Sequence, residues 1–198
     1  MAASATVTAS QYLSQLSQLA GRLDARAIDA LADSVFAAWS NQASVFIFGN
    51  GGSALTASHW ACDLVKTAAV VGQRRLRAVS LADNMGLITA LGNDISFDEV
   101  FAFQLESHAR AGDLAVAISA SGNSPNVLRA CQWAREHGLL VAALTGFAGG
   151  KLRSLADIHV NVPSENYGLI EDLHMSVGHI VAQALRARVA AAAPAQTR

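Results

Sequence analysis

Cysteine, proline and charge are all scarce in this sequence, and each scarcity excludes something. Two cysteines in 198 residues, Cys62 and Cys131, cannot form a disulfide framework. Both lie in apolar, helix-like stretches and are expected to be buried free thiols. Three prolines leave no room for a Pro-rich linker. Charged residues make up 15%, and 14 Lys+Arg nearly cancel 15 Asp+Glu, for a net charge of −1. That balance excludes a general electrostatic grip on nucleic acid or an anionic membrane. No run of about 18 uncharged apolar residues suggests a membrane span. The N-terminus has no basic segment followed by an apolar one, so no secretory signal is expected, and the cytoplasm is the expected compartment. Apolar residues are plentiful at 52%, 40 residues being alanine. With neither low hydropathy nor high net charge the chain is not disordered, and it can bury a full core.

Periodicity divides the chain. Residues 10–22 and 25–39 carry apolar positions at helical spacing (Leu13, Leu16, Leu19; Ile28, Leu31, Val35, Phe36, Trp39) and predict two helices. The pattern then switches to a short apolar run, Ser44 to Phe48, that ends in glycines and reads as a buried parallel strand. Similar runs at 76–80, 114–118, 139–144 and 157–162 alternate with helical segments at 53–66, 84–91, 97–109, 125–137 and 168–188. This alternation predicts a doubly wound, five-stranded parallel sheet with helices on both faces. The expected organisation is a helical pair at 1–40 belonging to the same unit, the α/β domain proper at 41–188, and a low-complexity tail at 189–198 that frays. An apolar helical pair outside a complete α/β unit also predicts self-association, because something must cover it.

Parallel sheets bind ligands beyond the carboxyl ends of their strands, which directs attention to 49–53, 80–84 and 119–124. The first exit, Gly49-Asn50-Gly51-Gly52-Ser53, exposes backbone amides at a helix start, with Ser53 expected to cap the helix. It is neither a dinucleotide fingerprint, since the third glycine would fall on Ala54, nor a Walker loop, since no lysine follows. The third exit, Ser119 to Pro125, puts three hydroxyls (Ser119, Ser121, Ser124) ahead of a helix, with Ser124 placed as N-cap before Pro125. That suits a phosphate monoester held by neutral donors. Acid–base candidates fall in two groups. His59 and Asp63 share a helix face at i,i+4, and Glu171, Asp172, His174 and His179 sit on the last helix. His108, His137 and His159 read as surface or strand residues.

Taken in order, Gly49-Asn50-Gly51-Gly52-Ser53, Ala57-x-His59, Ala90-Leu91-Gly92-Asn93-Asp94, Ile118-Ser119-x-Ser121-Gly122-Asn123-Ser124 and Ile170-Glu171-x-x-His174 with His179 resemble the sugar isomerase (SIS) fold family. Within it the sequence is most similar to the phosphoheptose isomerases, from about residue 10 to 188. The resemblance implies aldose–ketose isomerisation of a seven-carbon sugar phosphate through an enediol, in a homotetramer with sites between subunits. It also implies roles. Asn50, Gly51, Gly52 and Ser53 would bind substrate, Asn93 and Asp94 would contact the sugar, and Ser119, Ala120, Ser121 and Ser124 would cradle phosphate. Asp63 falls on the family's catalytic glutamate and His179 on its catalytic histidine. His59, Asp63, Glu171 and His179 would form a zinc site, with Glu171 where glutamine is usual and also counted among the substrate contacts.

The sequence departs from the family in places. Asp63 is one methylene shorter than glutamate, a difference that can matter greatly for a base. The stretch Val70 to Leu76 lacks a proline-bearing loop, and Tyr167 and Leu169 replace a threonine and a basic residue. Glu171 and His179 are eight residues apart, roughly 12 Å of helix rise. They could share a ligand only if Glu171 lay at a frayed helix start or if neighbouring subunits contributed. An isomerase of another sugar phosphate, and a non-catalytic module that senses a phosphosugar or binds a protein, stand as alternatives. Retention of Asp63 and His179 favours the enzyme.

Overall fold

In the computed structural model, which describes residues 8–192, strands and helices alternate as the periodicity predicts. The strands are β1 (Ser44–Gly49), β2 (Arg77–Ser80), β3 (Leu114–Ser119), β4 (Leu140–Thr145) and β5 (Ile158–Asn161). The helices are α1 (Ala9–Ala20), α2 (Ala25–Ser40), α3 (Gly52–Cys62), α4 (Met85–Asp94), α5 (Ala102–His108), α6 (Pro125–Glu136) and α7 (Tyr167–Ala192). Two expected helices are interrupted. The segment 53–66 becomes α3 followed by a π-helical turn, Asp63–Thr67. The segment 97–109 opens as a 3₁₀ turn, Phe97–Glu99, capped by the Ser96 hydroxyl, before α5 begins. Helix α7 outlasts its expected end and takes in residues 189–192, the start of the expected fraying tail, with Val189 buried; residues 193–198 lie outside the described part.

All five strands are parallel, in the order β2-β1-β3-β4-β5. The chain leaves β1 toward β2, then returns across β1 to build β3, β4 and β5 on the other side. Such a reversal opens a crevice between β1 and β3 at their carboxyl ends, the place where open α/β sheets take ligands. The glycine loop and the serine loop face each other there.

Alternation along the strands serves two cores. Val45, Ile47, Val116, Ile118, Ala142 and Leu144 face α2, α3 and α7, meeting Leu31, Val35, Trp60, Val177, Val181 and Leu185. Phe46, Phe48, Ala115, Ala117, Val141 and Ala143 face α5 and α6, meeting Phe101, Leu105, Val127, Ala130 and Cys131. Alanines on β3 and β4 let helices approach both faces closely.

The N-terminal helices are less separate than their sequence suggests. Helix α2, capped by Asp24, buries Ile28, Leu31, Ala32 and Val35 in the first core and is tied to α7 by Arg188–Asp33 at 2.7 Å. Helix α1 starts with a capping box between Thr8 and Gln11. Its Leu19 packs on Val162, Leu169, Ile170 and Leu173, and the Tyr12 hydroxyl donates to Asp172 at 2.7 Å. Leu13 of α1 remains 63% exposed. Of the two thiols, Cys131 is buried as expected but Cys62 is exposed, because it ends α3 on a side the sheet does not cover.

His174, grouped by sequence with the acid–base candidates, is instead a core residue. It has no exposed surface, and its Nε2 lies 3.1 Å from the Thr145 carbonyl, which fixes the proton there. Burial pushes the imidazole down to about 4, against the opposing pull of that carbonyl bond. Below pH 6.5 the unfolded chain takes up a proton that the folded one refuses. Stability attributable to His174 is therefore lost as pH falls from about 6.5 toward about 4, by roughly 3 kcal/mol in all. Urea unfolding across that window should show the loss, and a His174→Gln variant, which keeps an N–H for Thr145 but cannot titrate, should show a flatter profile.

Candidate active site

Helix α3 begins at Gly52, one residue before the expected start, so Ser53 is not its cap. Gly51 occupies that position at φ 55°, ψ −123°, a conformation that favours glycine, and no side chain caps the helix. Ser53 is buried, and its N–H donates to the Asn50 carbonyl at 3.0 Å. Opposite, Ser124 does hold the N-cap position of α6 with Pro125 next, as predicted. Its hydroxyl makes no capping bond and lies 3.3 Å from the Ser119 hydroxyl. Ser121 Oγ accepts from the Asn123 N–H at 3.2 Å. Gly122 (φ 63°) backs against Gly149, where a Cβ would come within 2.1 Å of the Gly149 carbonyl oxygen. The loop after β4 thereby supports the serine loop.

Between the two loops lies a cleft of about 180 Å³ lined by Asn50, Ser53, Ser119, Ala120, Ser121, Ser124, Tyr167 and Glu171. Seven of these are sequence-predicted site residues, and no lysine or arginine is among them. The predicted substrate residues Gly51 and Gly52 are not part of its lining. Glu171 enters from α7 and lies against Gly52, where a Cβ would fall 2.6 Å from either carboxylate oxygen.

A second cluster forms where α3 meets α7. His59 Nε2 and His179 Nε2 are 3.1 Å apart, and Asp63 Oδ2 lies 3.4 Å from the first and 3.7 Å from the second. The other Asp63 oxygen accepts from the Thr67 hydroxyl at 2.8 Å, one residue set inside the π turn, so Oδ2 is the one left for the imidazoles. Although Asp63 is a short acid, it reaches both histidines. These three ligand atoms all lie within 4.8 Å of one another. Two imidazoles and a carboxylate are a donor set that zinc accepts while keeping one position open.

Glu171 does not join this cluster, contrary to the four-residue expectation. Both Glu171 and His179 sit within regular α7, two turns apart, and Glu171 is turned to the Gly52 end of α3 while His179 meets its far end. Asn93 and Asp94 stand apart as well. They form no turn but end α4, exposed, with Asn93 Nδ2 donating to Asp94 Oδ1 at 2.7 Å, and neither lines the cleft.

This geometry has relatives. Residues 11–146 match the family model of the SIS domain. The chain belongs to the SIS domain family. It is 44% identical over 155 residues to the phosphoheptose isomerase of Mycobacterium tuberculosis, covering 78% of each chain. It is 38% identical over 174 residues to that of Chlorobaculum parvum, covering 87% of this chain and 83% of that one. The solved phosphoheptose isomerase of Neisseria gonorrhoeae superposes with a TM-score of 0.83 at 32% identity, over 90% of this chain and 96% of that one. That of Francisella tularensis gives 0.85 at 28% identity over the same shares.

Two residues of this SIS domain escaped the sequence reading. Asn126 is 1% exposed and pairs with Asn50 through two hydrogen bonds, 2.8 and 2.9 Å. Its position directly after the Ser-Pro cap was the one available sign. Trp60 is 1% exposed, and its indole lies flat on Gly178, where a Cβ would come within 1.9 Å of Nε1. Trp60 adjoins His59 and Gly178 adjoins His179, so this contact sets the spacing of the two imidazoles. A Gly178→Ala substitution should push α3 from α7 and cost about 1–3 kcal/mol of stability through overpacking. Thermal unfolding checks this, and a second change, Trp60→Phe, should recover part of the loss by removing the atoms in the way.

Proposed function

We propose that this chain is a phosphoheptose isomerase, converting sedoheptulose 7-phosphate to an aldoheptose 7-phosphate. The observation that carries the reading is the convergence of Asp63 Oδ2, His59 Nε2 and His179 Nε2 at one end of α3, with an uncharged three-serine cradle beyond the other end. His59 lies seven residues past Gly52, roughly 10 Å along the helix. A phosphate in the cradle leaves an extended seven-carbon chain free to run toward the imidazoles.

Ser119, Ser121 and Ser124 hold the phosphoryl group with hydroxyl and backbone donors, aided by the α6 N-terminus. Asn50 and Ser53 contact the sugar, with Glu171 accepting from its hydroxyls. Asp63 takes the proton from C1 of the ketose, giving an enediol. His179 protonates the carbonyl oxygen, and returning the first proton to C2 while O1 gives up its own completes the aldose. Zinc held by His59, Asp63 and His179 would supply Lewis-acid polarisation, but it would occupy Asp63 Oδ2 and His179 Nε2 and so restrain the acid–base pair rather than merely assist it. The family relationship and the acid–base trio favour this reading over a phosphosugar-sensing module, which needs the cradle but no base.

The assembly we propose is a homotetramer. Leu55 and Ile180, 74% and 46% exposed, flank the trio on α3 and α7, and Leu13 is exposed on α1, an arrangement that suits apolar faces covered by other copies. Two unpaired cysteines fit a reducing compartment, so we place the enzyme in the cytoplasm.

Opposite kinetic signatures test the two ends of α3. Asp63→Asn should lower kcat about 10²–10⁴-fold with little change in KM for sedoheptulose 7-phosphate. Alanine at Ser119, Ser121 and Ser124 together should mainly raise KM, at about 1–2 kcal/mol per lost charge-assisted bond. A wild-type chain that forms no aldoheptose 7-phosphate by chromatography rejects the reading. Protein prepared without chelator should contain zinc near one per chain by elemental analysis, lost in a His59→Ala/His179→Ala variant, and should sediment as four chains. A micromolar monomer or zinc-free, zinc-indifferent wild type rejects the respective proposal.

A further inference from the structure

We propose that Asn126 is a positioning residue that sets which face of the Asn50 carboxamide the substrate meets. The Val127 N–H donates to Asn126 Oδ1 at 3.0 Å, so that atom must be the oxygen, and the Asn126 amide can point only one way. In that orientation Asn126 Oδ1 also accepts from Asn50 Nδ2 at 2.8 Å, and Asn126 Nδ2 donates to Asn50 Oδ1 at 2.9 Å. The pair bridges 76 positions in sequence and ties the loop that opens α3 to the first turn of α6.

The reciprocal pair consumes one N–H and one acceptor site of Asn50. Flipping Asn50 would set oxygen against oxygen and nitrogen against nitrogen, so the flipped form is disfavoured by two lost bonds, one end of each being buried. Asn50 lines the cleft and Asn126 does not. The buried residue therefore dictates the donor pattern of the one that touches ligand, and couples the serine cradle on α6 to the helix that carries His59 and Asp63.

The kinetic part of the test rests on the isomerase reading; the spectroscopic part does not. In ¹⁵N-labelled wild-type protein the Asn50 side-chain amide should exchange slowly with solvent and lose that protection in Asn126→Ala. Free exchange in the wild type, or equal protection in Asn126→Ala, overturns the proposal whether or not the chain is active. With sedoheptulose 7-phosphate, both Asn126→Ala and Asn126→Asp should lose about tenfold in kcat/KM near pH 8, the effect of roughly one hydrogen bond. The carboxyl introduced by Asn126→Asp can donate to Asn50 Oδ1 only when protonated, and burial favours that neutral form. Its kcat/KM, divided by the wild-type value at each pH, should therefore recover as pH is lowered toward about 6. The Ala variant should show no such recovery; it also controls for Glu171, the titratable group lining the same cleft. A ratio flat with pH in the folded Asp variant, or a folded Ala variant with wild-type kcat/KM, overturns the proposal. A wild type without turnover rejects the isomerase reading and leaves amide exchange to decide the role of Asn126.

Discussion

The close crossing of α3 over α7, with the Trp60 indole seated on Gly178, is the contact on which the His59–Asp63–His179 cluster depends. Two helices from distant parts of the chain must approach within side-chain reach at one level for His59 and His179 to meet at 3.1 Å. Any side chain at position 178 holds them apart. The first core reinforces the approach, since Val177 and Val181 on α7 and Ala57 and Ala61 on α3 are buried in the same cluster. Small residues on both helices with one aromatic wedged between them give a narrow, stiff junction, and well-packed interiors resist gradual loosening. The geometry of the cluster is in this sense a property of the core.

At its other end α3 meets a different electrostatic problem. The cleft there has no lysine or arginine, and a carboxylate, Glu171, stands at its wall against Gly52. Hydroxyls and amides at the start of α6 must supply the attraction for an anion, and Glu171 sets a limit on where that anion can sit. For the proposed substrate, negative charge near Gly52 would favour sugar hydroxyls there and keep phosphate on the Ser119–Ser124 side. In that reading one residue separates the phosphate end of the cleft from the end that leads to the trio. A neutral glutamine at this position would accept and donate alike; the carboxylate only accepts.

Much of this was legible in sequence because it follows from short-range rules. Short apolar runs gave the strands to within a residue or two, and their parallel direction followed from strand–helix alternation. The two loops followed from the rule that parallel sheets bind ligands at the carboxyl ends of their strands, and His59 and Asp63 sharing a face followed from i,i+4 spacing. What stayed hidden depends on long-range packing. Ser53 looks like a cap, yet Gly51 takes that position because a positive φ starts the helix one residue early. His174 has the composition of a catalytic residue, and only the fold shows it sealed against the Thr145 carbonyl. Cys62 lies in a helix-like stretch, but which side of that helix meets the sheet is not a local property. Trp60 and Asn126 carry no motif at all, since each acts through a partner more than 70 residues away.

The π turn at Asp63–Thr67 joins the legible and the hidden parts. An extra residue in a helical turn costs regular hydrogen bonding and persists where something compensates. Here the backbone closes from Ala68 N to the Asp63 carbonyl at 2.8 Å, and the Thr67 hydroxyl bonds Asp63 Oδ1. The turn thus holds the aspartate from behind. A short side chain has fewer rotamers than glutamate and reaches less far, so its position must come from the backbone. With one oxygen tied to Thr67, Asp63 presents the other to both imidazoles at 3.4 and 3.7 Å. If Asp63 is the base we propose, the missing methylene is offset by restraint: a side chain that cannot extend toward its proton is instead held in place by the turn behind it.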